Sequence, residues 1–477
     1  LLSAYEAMRT IGQLFAFSFM VFNLSLSLVP LASYSQEPVR SITLDQAVQI
    51  ALEKASLVLK SENQNTLSGQ ELLQRYAQFL PNLNAAANYV YHTGTNLYTF
   101  TTVTLVDSNS QTSTYSLSST LNIFNGFLDS SALRAALNRK SAAELSLSYA
   151  RLVVQADITQ SFLQVILDQR IILIAQQNLT ASQARERLLK EQTQVGTTSM
   201  ADYLRQQAQT SSDQLSLINA ETRLKNDSVL LTRKLILDLN QTYRFSDAGI
   251  ESISSPSIHL PDAQLIQTAL ANRPDFQSQE KLVSASESDI DVARSDYFPK
   301  LNFAVTFGGL GTFLTSQNVN GANLLPSSQR SIFTQLGDQT QWTFGFYLNW
   351  NLFDRLLTQT AVTRTELTRS NTEIDLRDKR LDIEAQVKQV KNDLNSAFQQ
   401  LQTSKVALSA AQQSYATIQG RYRLGASSFI DLLAAQATLV HAQSALAQSE
   451  IAVKLQTRLL DLTIGNKPSL ESYDGNL

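Results

Sequence analysis

Hydrophobic and polar positions along this chain follow two periods. Over most of its length apolar residues recur every three or four positions, and often every seven. In four stretches they alternate with polar or small residues instead. Between 341 and 353, Trp342, Phe344, Phe346, Leu348, Trp350 and Leu352 take every second position, with Thr343, Gly345, Tyr347, Asn349 and Asn351 between them. A period of two over this length describes a strand with one strongly apolar face. The same alternation places Leu83, Ala85, Ala87, Tyr89 and Tyr91 on one face of a strand, Tyr115, Leu117, Leu121 and Ile123 on another, and Leu301, Phe303, Val305 and Phe307 on a third. Their opposite faces carry residues such as Asn82, Asn84, Ser118 and Asn302.

The seven-residue steps predict long helices with coiled-coil seams. Val387, Leu394, Leu401, Leu408, Tyr415 and Tyr422 form one such series, and Ile158, Val165, Ile172 and Leu179 another. Two following segments continue the pattern: Leu204, Ala208, Ser211, Leu215 and Ile218 in the first, Ile430, Leu433, Ala437, Val440, Ser444, Ala447 and Ile451 in the second. A helix from Phe127 to Thr193 would be roughly 100 Å long at about 1.5 Å per residue.

The chain is also written twice. "AQFLPNLN" at 77–84 aligns with "SDYFPKLN" at 295–302, an offset of 218 (299 − 81, proline on proline). "LNIFNG" at 121–126 aligns with "WNLFDR" at 350–355, and "VGTTSMADYL" at 195–204 with "LGASSFIDLL" at 424–433, both at 229. The change of offset places an insertion in the second copy between Pro299 and Phe353. Proline ends a helix and extends the residue before it, so Pro81 and Pro299 mark helix-to-strand junctions. The expected organisation is a leader and signal peptide at 1–35, a first repeat at 36–245, a linker at 246–261, a second repeat at 262–466 and a tail at 467–477. Within the repeats, β-hairpins are expected at 82–124 and 300–353, and helical hairpins at 127–240 and 356–465.

Composition narrows the function. The formal net charge is −3, which leaves no basic surplus for nucleic acid. There is no cysteine, so disulfides, thiolate sites, a cysteine nucleophile and an N-terminal lipidated cysteine are absent from the sequence. His92, His259 and His441 lack ligand spacing, and neither a metal nor a cofactor is expected. "GGLGTF" at 308–313 lacks the spacing and following helix of a dinucleotide loop and is expected to be a flexible strand end. No catalytic set emerges, so an enzyme is not expected. Arg9, the apolar run from Ile11 to Leu31 and the small residues at Ser33 and Ser35 describe an export signal cut before Gln36, with a membrane anchor as the alternative. No later run is long and apolar enough for a transmembrane helix, so strands would have to cross any membrane.

Four strands cannot close on themselves, and open edges are not tolerated in hydrocarbon. Three copies would give twelve strands, an even number within the range of outer-membrane barrels. The apolar strand face, led by Trp342, Phe344, Phe346, Leu348 and Trp350, would then meet lipid and the polar face a wet lumen. The alternative is a trimeric coiled-coil structural or adhesive rod with a small membrane anchor, which has no need for paired hairpins with matched tips.

With these features the chain resembles the TolC-like outer membrane efflux proteins over nearly all of its mature length. The junctions "FLPNL" and "YFPKL", "LNIFNG" and "WNLFDR", and the turns "VGTTSMAD" and "LGASSFID" carry the resemblance. It implies a mainly α protein with a trimeric 12-stranded β-barrel, four strands per chain, continued by a long periplasmic α-helical barrel. It implies a passive exit duct for small molecules or polypeptides, fed by an inner-membrane pump of the RND, ABC or MFS class through a periplasmic adaptor. By the same resemblance Asp202 and Asp431 would lie at the periplasmic constriction and Tyr422 at its gate. Val195, Gly196, Thr197, Leu424, Gly425 and Ala426, at the helical turns, would meet the adaptor. Ser427 stands where some members carry an arginine bridging the coils, and Ala434 where a second ring aspartate can follow, so fewer charged contacts are expected to hold the closed state.

Overall fold

The computed structural model describes residues 41–99, 103–248, 260–319, 322–323 and 328–466. The expected signal at 1–35, most of the linker at 246–261, His259 and the tail at 467–477 lie outside the described residues.

The chain opens with a short strand β1 (Ser41–Ile42), helix α1 (Leu44–Lys54) and helix α2 (Ser56–Ala77). A hairpin of β2 (Asn84–Thr99) and β3 (Val103–Phe124) follows. Then come the long helix α3 (Leu128–Gln194), the return helix α4 (Met200–Lys234) and β4 (Arg244–Phe245). The second half repeats the order: α5 (Asp262–Asn272), α6 (Pro274–Arg294), β5 (Lys300–Val319), the two-residue β6 (Ala322–Asn323), a short helix α7 (Ile332–Asp338), β7 (Thr340–Asn349), α8 (Leu357–Arg423) and α9 (Phe429–Thr463).

The duplication reaches the backbone. α3 and α8 are both 67 residues long, and α4 and α9 both 35. Their starts differ by the same number, 357 − 128 = 229 and 429 − 200 = 229. Left-handed residues recur at that offset: Gly126 with Arg355, Phe127 with Leu356, Gly196 with Gly425, and Ile236 with Gly465. Two successive left-handed residues turn each strand sharply into its long helix. The apolar alternation continues to Leu352, whereas β7 ends at Asn349. Trp350 therefore lies just past the strand, where its indole N–H donates to the Tyr297 carbonyl at 3.2 Å.

The cores repeat as well. One cluster joins α1, β1, α3, α4 and β4, with Ala47, Ala51, Val154, Ile158, Val165, Leu231 and Leu235 buried together. Its image joins α5, α8 and α9 through Leu265, Ala269, Ile383, Val387, Leu394, Leu460 and Ile464, the same positions shifted by 218 or 229. Full burial of one of these valine, leucine or isoleucine side chains stabilises by about 1.5–3 kcal/mol. A stretch of α3 is long and apolar enough to cross a membrane, contrary to the expectation that no such run follows the leader. Ile158, Phe162, Leu163 and Ile166 on that helix are instead buried in the first core.

The α4 heptads correct the sequence expectation. Gln206, Thr210 and Asp213 are the buried residues toward α3, where the Gln206 amide donates to the Ser182 carbonyl at 3.2 Å and Ser182 bonds Asp213. Leu204, Leu215 and Ile218, expected in the seam, are half or more exposed, with Ala208 and Ser211 exposed beside them. The seam within this hairpin is polar, and the apolar stripe faces away from it.

The long strands form one antiparallel sheet in the order β2–β3–β5–β7. β3 and β5 join the repeats, with Tyr115 opposite Gly309 and Leu121 opposite Phe303. β7 pairs only with the first half of β5, from Lys300↔Asn349 to Gly309↔Thr340. The register brings Phe303, Val305 and Phe307 against Phe346, Phe344 and Trp342, so one face is apolar across strands. β2 and β7 keep free outer edges among the described residues.

Candidate functional site

Two constellations stand out, one at each end of the long helices. The first is the pair of helical turns. Thr197 N donates to Gln192 O at 2.9 Å, and Ala426 N donates to Arg421 O at 2.8 Å, the six-to-one bond of a Schellman C-terminus. Each turn needs a left-handed residue, supplied by Gly196 (φ 76°) and Gly425 (φ 72°). A Cβ there would meet nothing within 4 Å, so glycine answers the backbone conformation and not a crowded space. Ser199 and Ser428 cap the return helices by accepting from Ala201 N and Asp431 N. Val195 and Leu424, the residues before the glycines, are 73% and 85% exposed. Two matched apolar side chains held in water at rigid turns form a surface suited to contact.

Just above the turns, Tyr422, Asp202 and Arg185 come together. Tyr422 ends α8, and its ring lies 5.8 Å from that of Phe429. Burial raises the Tyr422 phenol above its ordinary range, the Asp202 carboxylate adds to this, and the Arg185 cation opposes it. Asp202 accepts from Arg205 at 3.2 Å. Arg185, on α3, donates to the Tyr415 hydroxyl at 3.1 Å, and Gln419 reaches the same oxygen at 3.3 Å. The Arg185 Nη1 is buried without a hydrogen-bond partner among the described residues. Arg185 and Gln419 were not found from sequence, because an arginine on a heptad helix looks like any solvated cation; Tyr415 was visible only as a seam position.

Asp431 stands apart from that cluster. Its Oδ2 accepts from the Ser428 hydroxyl at 2.7 Å, from Ser428 N at 3.1 Å and from the Ser427 hydroxyl at 3.2 Å, completing a capping box. The Ser428 hydroxyl above all, then its N–H and Ser427, hold this exposed carboxyl below the usual carboxylate range. Ser427 thus serves the Asp431 side chain. Ala434 is exposed.

The second constellation is the apolar sheet face. Trp342, Phe344, Phe346 and Leu348 are 60–69% exposed, and Trp350 56%. Phe307 and Trp342 lie 4.7 Å apart, Phe303 and Phe346 5.0 Å, and Trp342 stacks on Phe344 at 5.9 Å. This is one continuous apolar surface, ordered by ring contacts and open to its surroundings. Among the described residues no cluster of metal-ligating side chains occurs.

Comparisons with known proteins agree with this architecture. The sequence profile described as "Outer membrane efflux protein" matches residues 47–235 and 265–466, one match per repeat. The pyoverdine export outer membrane protein OpmQ of Pseudomonas putida is 24% identical over 327 residues, covering 67% of this chain and 63% of the relative. The toluene efflux pump outer membrane protein TtgC of Pseudomonas putida is 22% identical, covering 65% of this chain and 60% of its own. The chain thus spans less than two thirds of the length of these relatives. Among solved structures, the outer membrane protein VceC of Vibrio cholerae superimposes with a TM-score of 0.73 at 16% identity, over 88% of this chain and 96% of that one. The Campylobacter jejuni CmeC outer membrane channel gives 0.73 at 16%, over 93% and 94%. These likenesses carry the fold: mainly helical, internally duplicated, with four antiparallel strands per chain.

Proposed function

We infer the function from what this chain is: it belongs to the outer membrane efflux protein family. Its place is the bacterial outer membrane, and it performs no enzymatic step. Its activity is that of a passive channel through which an efflux pump discharges to the exterior. The observation that carries this is the sheet, which pairs an exposed apolar face with two free edges, β2 and β7. A single copy cannot enter hydrocarbon with unpaired strand edges. Three copies, joined β7 to β2, close twelve strands with the aromatic face outward and the polar face around water.

The helices support the same assembly. The stripe Leu204, Leu215 and Ile218 on α4 is half or more exposed among the described residues, and a neighbouring copy would cover it. In the trimer the long helices continue the barrel into the periplasm. Val195, Gly196, Thr197, Leu424, Gly425 and Ala426 then meet the hairpin of a periplasmic adaptor, which connects the duct to an inner-membrane pump of the RND, ABC or MFS class. Tyr422, Asp202 and Asp431 ring the closed end. The pyoverdine and toluene exporters among the relatives favour small organic molecules over polypeptides as cargo. Matched hairpin tips in both repeats weigh against the rod alternative, which has no use for them.

The test is reconstitution of the purified full chain in planar bilayers, with its mass measured in detergent. A trimer with discrete ohmic conductance steps is expected. A monomer that stays in water and leaves bilayers unaltered would overturn the assignment.

A further inference from the structure

Residues 328–339, before β7, are built onto the sheet edge. β7 stops opposite Gly309, while β5 runs on to Val319 and exposes the edge that β7 leaves. Side chains take over that edge. The Gln335 amide accepts from Thr312 N at 3.0 Å and donates to Thr312 O at 2.8 Å. The Gln329 amide does the same at Leu314, at 2.8 and 2.9 Å. Leu310 N donates to the Gln339 carbonyl at 3.4 Å. Three alternate residues of β5 are thus satisfied as a strand would satisfy them. Water would serve an exposed edge equally well; sealing each group internally matters where water is scarce.

α7 itself lies over the apolar face. Gly309 and Gly311 share the face of Phe303, Val305 and Phe307, since strand residues two apart point the same way. A Cβ on Gly309 would come within 2.5 Å of the Leu336 carbonyl oxygen, and one on Gly311 within 2.7 Å of that of Ile332. The glycine-rich stretch 308–311, expected to be a flexible strand end, is the seat on which this helix rests. Phe333 is 85% exposed, level with Leu424 as the most exposed of the large apolar side chains among the described residues.

The height of the apolar face fits. From Leu301 to Phe307 it rises about 15 Å along the barrel axis, taking roughly 3.3 Å per residue and a strand tilt of about 40°. Extended to Gly311 it reaches about 25 Å, the height of an outer-membrane apolar band. Gly309 and Gly311 offer no side chains on β5, and the α7 backbone, with the Tyr115 ring at Gly309, lies where their side chains would be. Tyr115 pairs with Gly309, and Tyr89 follows one strand further at the Gly311 row through Ser113. These tyrosines occupy the level where aromatic residues gather at a membrane boundary. Arg330 and Asp338 flank the helix and neutralise each other at 2.6 Å.

We propose that α7 is an interfacial membrane helix, lying at the end of the apolar band away from the long helices with the Phe333 ring in the lipid. The partner is the lipid leaflet itself. This rests on the assignment of the aromatic sheet face to lipid. The experiment uses full-length chain in phosphatidylcholine vesicles, with bromine placed near the carboxyl end of the acyl chains as a contact quencher. One protein carries Trp342 as its sole tryptophan (Trp350→Phe). The other carries Phe333→Trp with Trp342→Phe and Trp350→Phe. Loss of emission in both supports the proposal. Loss for Trp342 alone, with the Phe333→Trp protein instead quenched by aqueous iodide, overturns the proposal and leaves the lipid-facing sheet standing. Loss in neither overturns both.

Discussion

The Arg185 guanidinium donates to the Tyr415 hydroxyl at 3.1 Å, tying α3 of the first helical hairpin to α8 of the second. Ser427, by contrast, is engaged within its own helix cap, donating to Asp431 at 3.2 Å. Arg185 supplies a coil-to-coil brace from the other repeat. Its cation also acts on the Tyr422 phenol, against the Asp202 carboxylate.

Removing this brace should loosen the closed end. Arg185→Ala is expected to raise single-channel conductance in planar bilayers, and Tyr415→Phe to raise it as well, because its hydroxyl is the oxygen that both Arg185 and Gln419 reach. A hydrogen bond from a charged donor is worth about 1.5–3 kcal/mol, repeated in every copy. The exposed Arg187→Ala serves as the control and should conduct as the parent does.

Asp168 predicts a pH dependence. It is 2% exposed on α3, and its carboxyl is pushed up to about 7, first by burial and then by the Asp227 carboxylate on α4. Gln164 and Arg223 oppose this without reversing it. The folded state therefore keeps a proton that the unfolded chain has released once pH passes the ordinary value of 3.8. Stability contributed by this group falls as pH rises from that value to about 7, and falls no further above it. Thermal unfolding should occur at lower temperature at pH 8 than at pH 5, and Asp168→Asn should flatten the difference.

Assembly should depend on the α4 stripe. Leu215→Asp with Ile218→Asp places two charges on a face that is half or more exposed among the described residues. The helix content by circular dichroism should be unchanged, while sedimentation in detergent shows monomer in place of trimer. The reverse result, a trimer of unaltered mass, would remove this face from the interface.

At the turns, apolar exposure and backbone shape can be separated. Val195→Asp with Leu424→Asp should leave conductance intact and abolish efflux in cells, since the duct is whole but unpartnered. Gly425→Val forces a β-branched residue to φ 72° and should cost about 1–2 kcal/mol locally. That change should appear as faster amide exchange at Arg421–Ser428 with little effect on global unfolding.

The periodicities alone determined a good deal. Alternation placed Phe344 and Phe346 on one strand face, seven-residue spacing gave two pairs of long helices, and the offset of 229 matched their ends. These features are local or repeat along the chain, and side-chain geometry turns them directly into faces. The glycines at 196 and 425 marked the turns for the same reason, since few other residues tolerate their backbone angles.

Pairing across the fold was a different matter. A heptad pattern says that a face is apolar, not which neighbour covers it. On α4 the tertiary arrangement turned Gln206 and Asp213 toward α3 and left Leu215 and Ile218 outward. Arg185 gained its meaning only when two hairpins, far apart in sequence, brought Tyr415 to it. The glycines at 309 and 311 looked like slack until α7 was seen resting on them. Sequence fixes what each surface is made of through short-range sterics and burial preference. Which surfaces meet depends on long-range packing, where many partners of the same chemistry compete and only the whole fold selects among them.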